Sequence, residues 1–195
     1  MGEIKSAWEK AMEKAEQLGK PTQEEMQKLE HIPTGNGLAG KYLYDEKYDL
    51  DKELTKYKGS GIREYIVMGV MEILLRNISL PHDERGKYLT ERALQGIRLV
   101  KDNKKGMDVI IDQIKNLMNY YEQARQHNFT QFKQSFETKI KESGIMMQQT
   151  AQSTANMEMQ IQQQFQDEWR RASRDLDTQY DKALEEQKQQ ILKLN

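Results

Sequence analysis

The chain has 195 residues, 31 acidic and 30 basic side chains for a formal net charge of -1, and a 36% hydrophobic share. That balance gives no field strong enough to point to nucleic acid or an anionic membrane as a partner. The absence of cysteine excludes disulfides, thiol catalysis and cysteine-held zinc or iron–sulfur clusters, and makes the cytoplasm the expected compartment.

Met1-Gly2-Glu3-Ile4 carries early charge and no apolar stretch follows, so neither a secretory signal nor an anchor is expected. Gly2 and Ser6 fit the spacing of a myristoylation start, which Glu3 opposes. The longest apolar run, 65–75, is interrupted by Gly69 and Glu72 and falls well short of the roughly 20 residues a membrane helix needs.

Proline occurs only at Pro21, Pro33 and Pro81, and no segment alternates like a half-buried strand. An all-α protein is predicted. The first helix covers 3–18, with Ile4, Ala7, Trp8, Ala11, Met12, Ala15 and Leu18 on one stripe and Gly19 after its end. Thr22 caps a second helix, and Glu25 completes a capping box. Ile32-Pro33-Thr34-Gly35-Asn36-Gly37 is expected to break that helix early, with brief helices following at 38–44 and 50–57. Segment 62–78 is apolar nearly all round and is expected to be the covered central element of an N-terminal helical bundle, ending at Leu80-Pro81. A helix over 83–101 follows, with Leu89, Ala93, Ile97 and Val100 on its inner face.

Past residue 103 the pattern becomes two long amphipathic helices. The first covers 109–140, with Ile110, Ile114, Leu117, Tyr121, Phe129, Phe132, Phe136 and Ile140 in its stripe. The last runs towards the C-terminus with Ile161, Phe165, Trp169, Ala172, Leu176, Tyr180, Ala183, Gln187, Ile191 and Leu194 inward. These step 4-4-3, an 11-residue repeat that predicts a nearly straight or slightly right-handed pair. The expected architecture is an N-terminal helical domain over 1–103 and a long, coiled-coil-like antiparallel hairpin over 104–195, connected near 143–157.

Gly35-Asn36-Gly37-Leu38-Ala39-Gly40 spells the dinucleotide fingerprint, and Lys41 follows it. That chemistry needs a preceding strand and a helix start aimed at a pyrophosphate, and His31-Ile32-Pro33 supplies no strand. Gly35, Gly37, Gly40 and Lys41 are therefore read first as a flexible break and second as a ligand loop. His31, His82 and His127 are scattered and none follows a glutamate by three, so no metal site is expected. The tyrosine–lysine mixture around Tyr42, Tyr44, Tyr48 and Tyr57 could stack on bases, but interspersed carboxylates cancel its field. Met146, Met147, Met157 and Met159 flank the hairpin connection, either filling gaps there or offering an adaptable docking surface.

Gly2-Glu3-Ile4-Lys5-Ser6-Ala7 with Glu13-Lys14-Ala15, the segment Tyr57-Lys58-Gly59, and Phe165-Gln166-Asp167-Glu168-Trp169 through Leu176-Asp177-Thr178-Gln179-Tyr180 carry a resemblance. Over most of its length the chain resembles a family of uncharacterised bacterial helical proteins. The resemblance implies a bacterial, cytoplasmic, helical protein and brings no catalytic residue with it; stretch 33–37 departs from the family's pattern. With no catalytic constellation and no cofactor motif in a fitting context, the expected role is non-enzymatic. We expect a scaffold or assembly module whose hairpin, or its tip, meets a protein partner or a second copy. The alternative is a small-ligand or nucleotide binder using Gly35 to Lys41.

Overall fold

The computed structural model describes residues 22–142 and 154–194. Among them are six helices and no strand: α1 (Gln23–Tyr44), α2 (Leu50–Thr55), α3 (Arg63–Arg76), α4 (Glu84–Val100), α5 (Lys104–Glu142) and α6 (Thr154–Lys193). The fold is all-α, as the sequence predicts. The expected helix over 3–18 lies outside the described residues. The chain divides into two compact units between Arg76 and Asn77, earlier than the boundary expected at 103.

In the first unit, Thr22 Oγ1 accepts from the Glu25 N–H at 3.2 Å, and the Glu25 carboxylate accepts from the Thr22 N–H at 2.7 Å. This is the capping box read from sequence. The expected break at 32–37 does not occur, because α1 continues through Pro33 and the three following glycines to Tyr44. Proline and glycine disfavour a helix interior by about 3 and about 1 kcal/mol, so tertiary packing must outweigh them. The reason is a close crossing of α1 with α3. A Cβ on Gly35 would sit 2.0 Å from the Ile66 carbonyl oxygen, and one on Gly69 would sit 2.2 Å from that of Ile32. Each glycine thus lets the other helix's backbone approach. The same crossing buries Leu38, Ala39, Tyr42 and Leu43 on α1 and Ile66, Val70, Met71 and Leu74 on α3. Pro33 lies on the exposed side, where water can serve the carbonyl it leaves without a donor.

The second unit starts with a tied-down segment. Thr90, wholly buried, accepts from the Ser79 N–H at 3.2 Å and its hydroxyl faces the Asn77 and Ser79 carbonyls. Ile78 and Leu80, on either side of Ser79, are buried. Asp83 caps α4 by accepting from the Gly86 N–H at 2.6 Å. Helix α4 then joins α5 through an Arg98–Asp108 fork and a Lys87–Glu122 pair at 3.2 Å. The Lys101 ammonium donates to the Leu194 carbonyl just past α6. These ties explain why α4 belongs with the hairpin and not with the helices before it.

Helices α5 and α6 run antiparallel. Phe136 meets Phe165, Phe129 meets Trp169, Tyr121 meets Asp177, and a Cβ on Gly106 would touch Leu194. The inward set of α6 departs from the 11-residue reading at Ala172. Ala172 is exposed and Ser173 is buried. From Ser173 one sheltered series runs through Asp177, Tyr180, Leu184, Gln187, Ile191 and Leu194, in steps of four and three, with Leu176, Ala183 and Lys188 half-buried beside it. That is a seven-residue repeat; only Ile161, Phe165 and Trp169, before it, advance in fours. Polar residues at Ser173, Asp177 and Gln187 hide the repeat from a count of apolar side chains.

Candidate functional site

The paired helices carry two chemically different stretches. The first is aromatic. All four phenylalanines of the chain, Phe129, Phe132 and Phe136 from α5 and Phe165 from α6, gather with Trp169. Phe129 stands edge-on to Trp169 at 5.1 Å between ring centres, and Phe136 edge-on to Phe165 at 5.1 Å. Edge-to-face pairs of this kind add roughly 0.5–1.5 kcal/mol each beyond the area they bury. Towards the Glu142 end of α5 the cluster opens into an apolar groove of about 470 Å³ between the helices. Phe136, Ile140, Ile161 and Phe165 form its floor, and Lys133, Glu137, Lys141 and Glu158 its rim. Phe136 and Ile140 are buried, whereas Ile161 and Phe165 keep part of their surface exposed.

The second stretch is polar. The Tyr121 side chain is fully buried, and its hydroxyl donates to Asp177 Oδ1 at 2.7 Å. With its one proton given to that carboxylate, the hydroxyl oxygen accepts from His82 Nδ1 at 3.2 Å. Ser173 Oγ donates to the other carboxylate oxygen of Asp177 at 3.4 Å. Burial, and then the hydrogen bond to Asp177, push the Tyr121 hydroxyl far above the usual tyrosine pKa. A phenol held neutral in this way is a poor nucleophile and a poor base. The chain His82–Tyr121–Asp177 instead ties the segment before α4 to both hairpin helices.

The residues singled out from sequence land as follows. Gly35, Gly37, Gly40 and Lys41 all lie inside α1, so they form a helical segment and not a loop. Gly35 is consumed by the crossing with Ile66, and Gly37 and Gly40 face open space. A phosphate-binding loop needs free backbone N–H groups at a helix start, and mid-helix positions do not offer them. Met157 is half-buried and Met159 is 69% exposed on the first turns of α6; Met146 and Met147 lie outside the described residues. Sequence reasoning missed Ser173, Asp177 and Arg125 and saw His82 only as one of three scattered histidines; a seven-residue count begun at Ser173 would have flagged the first two. Among the described residues, no three histidines or carboxylates gather as a metal site, and no helix is long and apolar enough to cross a membrane.

No curated protein matches the chain, and no solved structure does. A sequence family described as a family of unknown function (DUF6657) matches residues 51–193, which include most of the first unit's α2, all of α3 and the whole of the helices α4 to α6. The chain belongs to this DUF6657 family.

Proposed function

We propose that the protein is a non-catalytic interaction module whose paired helices hold an amphipathic helix of a protein partner. The observation that carries this reading is the groove over Phe136, Ile140, Ile161 and Phe165. Two antiparallel helices leave such a channel along one side, and a third helix is the element that fills it with ordinary side-chain packing. The rim carries both signs, Lys133 and Lys141 with Glu137 and Glu158, which suits a partner helix of mixed charge and gives orientation more than affinity. The sheltered floor is apolar and the exposed parts of Ile161 and Phe165 are the surface such a helix would cover. A bacterial, cytoplasmic setting is part of the same proposal, supported by the sequence resemblance and by the cysteine-free composition.

The test is photo-crosslinking from a probe amino acid placed at Gln162 on the groove, with a second probe at exposed Lys115 as control. Peptide mapping should place the Gln162 crosslinks on the apolar face of one helix of one partner, and Ile161→Glu should abolish them. Crosslinks that map to this same chain would replace the partner with a second copy. Crosslinking equal at Gln162 and Lys115, or untouched by Ile161→Glu, would defeat the reading.

A further inference from the structure

A second concavity, of about 350 Å³, lies in the same unit and shares no lining residue with the groove. It is built from three segments: His82 and Glu84 at the start of α4, Arg125, Gln126 and Phe129 on α5, and Trp169 on α6. Its volume falls in the range of small-molecule sites. Arg125 distinguishes it. The Arg125 Nε is buried with no hydrogen-bond partner, and no carboxylate lies within ion-pair distance of its guanidinium among the described residues. Buried donors left without an acceptor are rare, and each calls for an explanation.

Three carboxylates line the cleft as well, Asp83, Glu84 and Glu122, and none of them supplies one. Asp83 is spent on the Gly86 N–H at 2.6 Å, Glu122 is paired with Lys87 at 3.2 Å, and Glu84 is exposed, where solvent screens it. The aromatic side of the cleft is also incomplete, since Phe129 and Trp169 are only half-buried although they pack edge-on at 5.1 Å. The His82 ring is held in place by its Nδ1 contact with Tyr121.

We propose that this cleft binds a planar aromatic carboxylate, whose carboxylate pairs with Arg125 and whose ring lies against Phe129 and Trp169. A guanidinium presents a flat fork of donors that matches a carboxylate, and the rings give a flat apolar wall beside it. Binding would give the Arg125 guanidinium the ion-pair partner it lacks and cover the exposed part of Trp169.

The experiment uses the full chain with Trp8→Phe, so that Trp169 is the remaining tryptophan. Benzoate is titrated against its emission, beside benzamide as the neutral isostere and benzylamine as the cation. Benzoate should give a saturable change below about 10 mM, with benzamide and benzylamine at least about tenfold weaker. Arg125→Gln should abolish the benzoate response yet leave the melting temperature unchanged or higher, because it removes a half-buried charge that has no ion-pair partner. Arg125→Lys keeps the charge but loses the fork, and should weaken benzoate about tenfold or more. A flat benzoate titration, equal responses to benzamide, or a benzoate response that survives Arg125→Gln would overturn the proposal. So would a large fall in the melting temperature of both arginine variants, which would make Arg125 a structural group.

Discussion

Gly35 and Gly37 are two residues apart in one helix and have opposite consequences. A Cβ at Gly35 would stand 2.0 Å from the Ile66 carbonyl oxygen and 2.9 Å from the Val70 nitrogen, backbone atoms that can move only if α3 moves. Gly35→Ala should therefore destabilise the protein by about 3 kcal/mol or more, beyond the usual cost of overpacking a core. Gly37 meets nothing within 4 Å, so Gly37→Ala should stabilise by up to about 1 kcal/mol through helix propensity alone. Urea unfolding followed by far-ultraviolet circular dichroism measures both, and similar effects for the two would remove the close crossing from the account. Tyr121 sets a second contrast. Its folded pKa lies above the ordinary value of 10.0, so the folded state keeps a proton that the unfolded chain has lost above that pH. The stabilisation is fully present below about pH 10 and fades as pH rises towards the folded pKa. Tyr121→Phe should cost about 1–3 kcal/mol near neutrality, since Asp177 loses its donor. The gap between variant and wild type should narrow above pH 10; a gap that widens there contradicts the assigned hydrogen bond.

At the scale of the helix, the sequence showed where elements begin more clearly than what interrupts them. Thr22 with Glu25 and Asp83 before Glu84 mark starts that the structure keeps, because a cap is a local bargain between a side chain and the nearest N–H groups. Pro33, Gly35 and Gly37 look like a local stop, and what overrides them is α3, a partner remote in sequence. The register of α6 was illegible for a related reason. Ser173 and Asp177 occupy sheltered positions because Tyr121 and their own hydrogen bonds satisfy them, and apolar counting assigns such residues to the surface. Two adjacent substitutions separate the registers. Ala172→Lys should change stability by no more than about 0.5 kcal/mol. Ser173→Lys would place an ammonium where the side chain is now 5% exposed and should cost about 3 kcal/mol or more. Equal costs would restore the 11-residue pattern. The candidate groove was legible only in outline: the phenylalanine spacing foretold a stripe, while its opening at one end depends on how far apart α5 and α6 stand.

Across the whole molecule the near-equality of 31 acidic and 30 basic side chains holds locally as well as in total. Three of the cations that could have joined a basic stripe on the hairpin have anionic neighbours: Lys133 with Glu137 at 4.0 Å, Lys139 with Glu168 at 4.0 Å, and Arg170 with Asp167 at 3.7 Å. These pairs are largely exposed, so each adds at most about 1 kcal/mol to stability. Their effect is on the field, because a cation 4 Å from a carboxylate looks nearly neutral from a Debye length away, about 10 Å at 0.1 M salt. A protein that binds nucleic acid releases condensed counterions through several unopposed lysines or arginines, and its retention falls steeply with salt. The full chain should therefore pass through a heparin column at about 50 mM salt without delay. Charge reversal of Glu137, Asp167 and Glu168 to lysine together should create salt-sensitive retention, by converting the paired cations into a stripe along both helices. Retention of the unmodified chain that eluted with a steep salt dependence would place an uncancelled basic surface elsewhere on the protein, and would favour an anionic polymer over a partner helix as what it meets.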